Sequence, residues 1–223
     1  MAEISFPIAE RFFTLSGEAP TAGQPMYLIR FSGCNLNCRY CDTPNRNEIN
    51  EWLTFAQLSE EIAESQRKYP GVFVLFTGGE PLLNERMEAI SQLAAEHSET
   101  LFYVETNGSV FIRDFGKGNL RYVVDWKTPS SGESDSFCAN NIKKLRAGLD
   151  CIKIVVDKND LQYVQPIVGE IKKNNAGLDI YLSPQTGNIE LKDLASFIIE
   201  NRLDTRLSLQ LHKIIWGIDA KGV

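Results

Sequence analysis

Three of the five cysteines in this 223-residue chain lie on one short polar segment. Cys34, Cys38 and Cys41 have the spacing C-x3-C-x2-C and directly follow an apolar run that predicts a strand. Three thiolates on a tight loop can ligate three irons of a 4Fe–4S cubane and leave the fourth iron without a protein ligand, whereas clusters that only transfer electrons normally have a cysteine on every iron. An open metal position is typical of a site that binds a further ligand. The spacing therefore favours a cluster that takes part in chemistry.

Two different interpretations of these cysteines are a structural zinc site and unrelated buried thiols. Zinc needs a fourth ligand and usually binds two separated pairs of cysteines. The candidates for that ligand are all distant in sequence: Cys138, Cys151, His97 and His212. Free cysteines that pack as small hydrophobic groups have no reason to follow this spacing in a polar loop. The cluster is favoured over both interpretations, and the sequence assigns no role to Cys138 or Cys151.

The composition predicts one globular domain that spans residues 1–223. With 43% hydrophobic and 23% charged residues the chain can bury a substantial core, and no linker or second composition regime divides it. No apolar run approaches a membrane span, and the N-terminus lacks a signal-peptide pattern. The clustered, odd-numbered cysteines favour a reducing cytoplasm. A net charge of −6 gives no support for nucleic-acid binding, so we expect a small-molecule substrate.

Apolar strand patterns alternate with helical patterns along most of the chain. Strands are predicted at 26–31, 72–77, 101–106, 122–126, 151–156 and 180–182, with a last extended piece at 206–209. Helices are predicted from a Thr54–Gln57 capping box to the region of Tyr69, and at 86–97, 142–147, 161–174 and 191–201. This alternation predicts parallel β/α units. About six units are too few for a closed eight-stranded barrel, so the predicted α/β fold is an incomplete (β/α)6-type, TIM-like barrel with parallel strands.

Polar and glycine-rich residues collect directly after the predicted strands. Examples are Gly78-Gly79, where the backbone allows close approach of a ligand, and residues 106–108. Because active sites of β/α barrels lie at the carboxyl ends of the strands, we expect these segments to meet there. Arg30 is a charged residue inside the first apolar strand. It is either a surface residue on an edge strand or, as we favour, an anion-binding group at the mouth of a site.

Two motifs together resemble the radical S-adenosylmethionine (SAM) enzymes. One is the cysteine loop with the aromatic Tyr40 before its third cysteine, and the other is Thr77-Gly78-Gly79-Glu80-Pro81 at the end of the next predicted strand. In that superfamily the open iron chelates the amino and carboxylate groups of SAM, and the glycine motif receives the SAM amino group. Its members use partial barrels of the kind predicted here, and the resemblance covers nearly the whole chain.

Further segments are similar to the 7-carboxy-7-deazaguanine synthase family within that superfamily. They are Thr14-Leu15-Ser16-Gly17-Glu18, Arg30, Cys41-Asp42-Thr43 and Gln210-Leu211-His212-Lys213. The resemblance implies a radical ring contraction of 6-carboxy-5,6,7,8-tetrahydropterin to 7-carboxy-7-deazaguanine with loss of ammonia, in the pathway to queuosine and related 7-deazapurines. It also implies a 4Fe–4S cluster, SAM and Mg2+ as cofactors, a flavodoxin or ferredoxin as electron donor, and a homodimer.

The resemblance carries over residue by residue to this sequence. Cys34, Cys38 and Cys41 would hold the cluster, and Thr43 would ligate Mg2+. SAM would contact Tyr40, Cys41, Asp42, Gly79, Asp125, Trp126, Lys127 and Ser183. The substrate would contact Leu15, Ser16, Gly17, Glu18, Arg30, Thr77, His212 and the C-terminal Val223. Arg30 would bind a carboxylate, and Glu18 would accept the N–H donors of the aminopyrimidine edge. No side chain receives a certain catalytic role, because the cluster and SAM carry the chemistry.

Several positions depart from the family pattern. Ser16 replaces a glutamine, Ala19 a glycine and Leu211 a threonine, and Asp125-Trp126-Lys127 replaces Ser-Pro-Lys. A diverged synthase that acts on a related pterin is therefore a competing hypothesis. Trp126 would either stack on adenine or fill the core.

Two more hypotheses come from different functional classes. One is a radical SAM activase that forms a glycyl radical on a partner protein, and the second is a non-enzymatic electron carrier. The enclosed small-molecule pocket suggested by Glu18, Arg30 and His212 argues against the activase, which would need an open protein-docking face. Thr77-Gly78-Gly79-Glu80-Pro81 argues against the carrier, which has no use for a SAM-shaped strand end.

Overall fold

The computed structural model describes residues 5–43, 46–113, 118–218, 220 and 222. In this part of the chain nine strands form one sheet, in the order β3-β1-β2-β4-β5-β6-β7-β8-β9. The strands are β1 Ser5–Leu15, β2 Pro25–Phe31, β3 Glu51–Thr54, β4 Phe73–Gly78, β5 Phe102–Thr106, β6 Leu120–Asp125, β7 Cys151–Val156, β8 Asp179–Pro184 and β9 Arg206–Leu207. The α-helices are α1 Phe55–Lys68, α2 Arg86–Glu96, α3 Leu161–Asn174, α4 Leu191–Glu200 and α5 Leu211–Trp216.

Each neighbouring pair of strands from β2 to β9 is parallel. The sheet ends at β3 and β9, and within the described residues these two end strands do not pair with each other. The prediction of an incomplete, mainly parallel β/α barrel is therefore confirmed. The predicted capping box is also present, because the Thr54 side chain accepts from the Gln57 backbone and the Gln57 side chain accepts from the Thr54 backbone.

The sequence did not predict β1, β3 or α5. Strand β1 pairs antiparallel with both β2 and β3 and extends the parallel sheet on one side. Its register shifts between Ile8 and Glu10, and a bulge of this kind puts consecutive side chains out of the two-residue alternation. The apolar and charged residues of this segment therefore do not alternate with the two-residue period that predicts a strand. Because β1 covers β2, Arg30 does not lie on an edge strand.

The helix predicted at 142–147 is wrong, since this segment folds as turns. Polar side chains take over the hydrogen bonds that a helix would have formed. The Asn175 amide donates to the carbonyl oxygens of Ile142 and Leu145 at 3.1 and 2.8 Å. Asp150 accepts from the backbone N–H of Arg146 at 2.8 Å. Such side-chain bonds compete with helix formation.

The two faces of the sheet carry different cores. The face toward the helices packs the larger apolar cluster, whereas the inner, concave face packs a smaller one that includes Leu28, Leu75, Tyr103, Val123, Cys151 and Tyr181. Side chains alternate between faces along a strand, so the residues two positions further on point to the same inner face. They are Arg30, Thr77, Glu105, Asp125, Lys153 and Ser183. The inner face therefore changes from apolar to polar toward the carboxyl ends of the strands.

No helix in the described residues is long and apolar enough to cross a lipid bilayer.

Candidate active site

The polar end of the inner face opens into a cleft of about 350 Å3, a size typical of small-molecule sites. Most of the site residues predicted from the sequence line it: Leu15, Ser16, Gly17, Glu18, Arg30, Cys34, Cys38, Tyr40, Cys41, Asp42, Thr43, Thr77, Gly79, Asp125, Lys127 and His212. Trp126 and Ser183 are not among the lining residues. Val223 lies outside the described residues. Positions distant in sequence are thus brought to one place.

The cysteine loop is fastened to the end of β4. The backbone N–H of Gly79 donates to the Phe31 carbonyl at 3.0 Å, and that of Glu80 donates to the Gly33 carbonyl at 2.8 Å. The Arg86 guanidinium bridges the two segments, because it donates to the carbonyls of Ser32 and Glu80 at 2.9 and 3.0 Å. A Cβ at Gly79 would overlap the backbone of Gly33 and Cys34. Glycine is therefore required for this close packing.

The three thiols of the loop are free, half-buried and directed toward the same cleft. Burial raises the pKa of Cys38; nearby Lys127 opposes this effect, and the neighbouring thiols Cys41 and Cys34 add to it. The Cys34 sulfur accepts from the Leu36 N–H at 3.5 Å and from the Asn107 amide at 3.8 Å. Three adjacent thiols with N–H donors beside them fit an iron–sulfur cluster. Among the described residues, no three His, Cys, Asp or Glu side chains converge on a single metal ion, whereas in a cluster each thiolate ligates a different iron.

Glu80 connects the ends of β4 and β5 from a fully buried position. Its carboxylate accepts from the Thr106 hydroxyl and the Asn107 N–H, both at 2.7 Å, and from the Leu82 N–H at 3.0 Å. Burial raises the pKa of Glu80 from 4.5 to about 7, although these hydrogen bonds act in the opposite direction. Because Asn107 in turn contacts Cys34 and Asn35, Glu80 holds the β5 end against the cysteine loop.

Replacing Glu80 by glutamine should make part of the pH dependence of stability disappear. The folded pKa lies above the ordinary value, so this group favours the folded state most at low pH, and the contribution is lost as pH rises from 4.5 to about 7. Between pH ~5.5 and ~7 the unfolding free energy of the wild type should therefore fall by about 2 kcal/mol relative to that of Glu80→Gln. Urea unfolding at a series of pH values measures this, and a constant difference would contradict it.

Glu18 lies at the centre of a buried charge network in the cleft. One carboxylate oxygen accepts from the Gln210 amide at 2.9 Å, and the other lies 3.0 Å from the ammonium group of Lys153. Lys153 also lies 3.6 Å from Asp125, which binds Lys127 at 2.9 Å. Burial raises the pKa of Asp125, but the two ammonium groups outweigh it and the pKa is lowered. The Asp125 carboxylate is therefore kept ionised.

Lys153 was not predicted as a site residue, although the signal was present. It is a single charged residue within the apolar β7 sequence Cys-Ile-Lys-Ile-Val-Val, just as Arg30 is within β2. A cation inside an apolar strand must find a partner. The partner of Arg30 is Glu10 on β1, which accepts at 2.6 Å. Glu10 was missed because β1 itself was not predicted.

The C-terminal segment closes one side of the cleft against the loop between β1 and β2. The Leu211 N–H donates to the Gly17 carbonyl at 2.9 Å. A Cβ at Gly17 would overlap the imidazole of His212, so these two predicted substrate contacts lie directly against each other. Burial lowers the pKa of His212, which favours a neutral ring. Ser16 turns its hydroxyl to Thr21 at 2.7 Å, inside the loop.

Trp126 and Ser183 differ from the remaining predicted SAM contacts in their positions. Asp125 and Lys127 take the inward direction, so Trp126 between them points outward and stacks on Phe137 with a centroid distance of 4.0 Å. Of the two predicted roles for Trp126, this packing favours core filling. Ser183 is completely buried, and its hydroxyl has no hydrogen-bond partner among the described residues.

Comparison with known proteins agrees with this arrangement. The model of the radical SAM superfamily matches residues 28–146. The chain is 36% identical to 7-carboxy-7-deazaguanine synthase from Clostridium acetobutylicum, over 99% of this chain and 100% of that protein. It is also 36% identical to the synthase from Methanospirillum hungatei, over 93% and 84%. The crystal structure of QueE from Escherichia coli has the same fold, with a TM-score of 0.73, 22% identity and coverage of 92% and 94%. The chain therefore belongs to the 7-carboxy-7-deazaguanine synthase family of radical SAM enzymes.

Proposed function

We propose that this chain converts 6-carboxy-5,6,7,8-tetrahydropterin into 7-carboxy-7-deazaguanine with loss of ammonia. The observation that carries the proposal is that one cleft is lined both by the three thiols and by the groups suited to a carboxypterin. Arg30 is a cation for the substrate carboxylate, and Glu18 is an acceptor for the aminopyrimidine N–H groups. The relatives named for this product cover the chain almost completely, and an activase that modifies a protein is not favoured.

Cys34, Cys38 and Cys41 would hold the 4Fe–4S cluster that the family implies. When bound, this cluster supplies one electron to SAM and so provides the radical chemistry. The protein itself binds SAM and the substrate, orients them and excludes water from the cleft. The SAM contacts of this proposal that line the cleft are the Gly79 backbone, Tyr40, Asp42, Asp125 and Lys127. Ser183 does not line the cleft and belongs to the proposal on family resemblance alone.

The substrate end of the cleft is positioned by rigid elements. Arg30 projects from β2 and its Nε is fixed by Glu10, so the terminal nitrogens keep a defined direction. The apolar layer beneath, which includes Leu28 and Leu75, separates the site from the opposite end of the barrel. This arrangement limits access of water to a reactive intermediate.

The proposal includes Mg2+ at Thr43. Its hydroxyl lines the cleft, lies 3.3 Å from an Asp42 carboxylate oxygen and 3.5 Å from Arg30. Mg2+ keeps several waters and takes few protein oxygens, so a hydroxyl beside a carboxylate is a suitable donor set.

Replacing Thr43 by alanine should raise the Mg2+ concentration needed for half-maximal stimulation about tenfold, since one oxygen ligand is lost. The matched control is Thr43→Ser, which retains the hydroxyl and should behave as the wild type. Turnover measured over a Mg2+ titration gives the result. Equal stimulation of the alanine variant would remove the magnesium role from Thr43.

The reaction is tested by incubating the anaerobically reconstituted protein with SAM, dithionite and 6-carboxy-5,6,7,8-tetrahydropterin. The expected product is 7-carboxy-7-deazaguanine, identified by mass spectrometry. Formation of 5′-deoxyadenosine without that product would overturn the proposed substrate and point to a diverged synthase. A flavodoxin or ferredoxin donor and a homodimer belong to the proposal on family resemblance alone, and a cytoplasmic location belongs to it on the cysteine pattern.

A further inference from the structure

Lys153 is a nearly fully buried cation at the centre of the cleft floor. It projects from β7, where Cys151 and Val155 share its face and Ile152 and Ile154 pack toward the helices. Its ammonium group lies 3.0 Å from Glu18 and 3.6 Å from Asp125. A buried lysine is retained only where carboxylates compensate it. Here two carboxylates do so, and one of them is the proposed anchor of the substrate ring.

The orientation of Glu18 depends on two groups that are far apart in sequence. Gln210 holds one carboxylate oxygen and Lys153 the other. Gln210 is itself bound by Thr186 at 2.7 Å and by Lys213 at 2.8 Å, so its amide is fixed. Glu18 is therefore oriented before any ligand arrives, which lowers the cost of binding.

The pair also has unused hydrogen-bonding capacity toward the cleft. A carboxylate offers about four lone-pair sites and an ammonium group three donors. Glu18 Oε1 accepts from Gln210, whereas Oε2 is in ionic contact with Lys153 and accepts no hydrogen bond from the described residues. Lys153 directs two of its N–H groups at most to Glu18 and Asp125. Both residues line the cleft. The polar atoms of the pair follow the order Glu18 Oε1, Glu18 Oε2 and Lys153 Nζ, which is acceptor, acceptor and donor.

We propose that Lys153 positions Glu18 and donates to the ring carbonyl of the substrate, so that the two residues together read the donor–donor–acceptor edge of a pterin. A pterin presents its exocyclic amino group, its ring N–H and the adjacent 4-oxo group in this order. Lys153 is then a specificity-determining residue that selects 4-oxo over 4-amino rings. This inference rests on the proposed function, because it takes the ligand of Glu18 to be a pterin.

The test compares two ligands that differ along the edge read by Glu18 and Lys153. They are 6-carboxypterin and 2,4-diaminopteridine-6-carboxylate, in which an amino group replaces the carbonyl and the adjacent ring nitrogen loses its hydrogen. Dissociation constants are measured by ligand fluorescence on the anaerobic holoprotein with SAM, at pH about 7, where both ring systems are neutral. The wild type should prefer the 4-oxo ligand by at least about 100-fold, because the 4-amino ligand loses both the hydrogen bond from Lys153 and the one from its ring N–H to Glu18.

Lys153→Met should reduce this preference by about tenfold or more, the effect of one hydrogen bond to a charged donor, and leave the part that Glu18 contributes. The control Lys172→Met removes an ammonium group that pairs with Asp204 outside the cleft and should keep the preference. A wild type that binds 6-carboxypterin without preferring it would overturn the inference and leave the proposed function intact, whether or not the variant folds. A preference that is as large in Lys153→Met as in the wild type has the same consequence. A wild type that binds neither ligand and forms no product would instead overturn the proposed function.

Discussion

Replacing Cys38 by alanine is expected to leave the protein without a stable iron–sulfur cluster and without detectable product. Cys38 is one of three thiols that line the cleft, and within the described residues no further cysteine lines it and could take its place. Iron and sulfide content per chain after anaerobic reconstitution measures the first effect, and the product assay measures the second.

The control for this variant is Cys138→Ala. Cys138 is also a free, half-buried cysteine, but it lies outside the cysteine loop and does not line the cleft. Its replacement should leave iron content and turnover close to the wild-type values. If Cys38→Ala retained the wild-type iron content, or if Cys138→Ala lost as much iron, the assignment of the three loop thiols as cluster ligands would be wrong.

Gly79→Ala is expected to separate the end of β4 from the cysteine loop. An added Cβ would overlap backbone atoms of Gly33 and Cys34, and backbone in a hydrogen-bonded contact cannot move aside as a flexible side chain does. The hydrogen bonds that Gly79 and Glu80 donate to Phe31 and Gly33 would be strained. We expect SAM affinity to fall by at least about 100-fold, as for a contact misplaced by about an ångström, with partial loss of iron.

Gly169→Ala provides the matched control for this substitution. Gly169 lies within helix α3, and a Cβ there has no neighbour within 4 Å. Alanine in a helix interior is favoured over glycine by roughly 0.5–1 kcal/mol, so this variant should be slightly more stable and should bind SAM normally. Equilibrium binding of SAM to both reconstituted variants decides the point. Normal SAM affinity in Gly79→Ala would show that the close contact is not required.

The sequence predicted most of the parallel strands well because they are short, largely apolar runs buried on both faces, unlike the exposed β9. Strand β4, Phe73–Gly78, is an example, since its first five residues are buried. The pattern failed where contacts distant in sequence decide the structure. β1 carries a bulge that interrupts the alternation of apolar and polar side chains. In the segment at 142–147, two backbone carbonyls accept hydrogen bonds from the Asn175 side chain instead of from helical N–H groups.

The site could be predicted in its parts but not in its connections. Cys34, Glu18 and Arg30 stand in recognisable motifs, and all three line the cleft. The ion-pair partners of Glu18 and Arg30 could not be predicted. These partners, Lys153 and Glu10, come from segments whose inward face depends on strand register. Trp126 illustrates the same limit, since the alternation of its neighbours turns it away from the cleft.

In the proposed mechanism, three protein thiolates hold a cluster and leave one iron open to SAM. The most direct test is the electron paramagnetic resonance spectrum of the anaerobically reconstituted and reduced protein, recorded before and after addition of SAM. We expect the signal of a reduced 4Fe–4S cluster whose g-values change when SAM binds to the open iron. A spectrum that stays the same at saturating SAM would contradict the account.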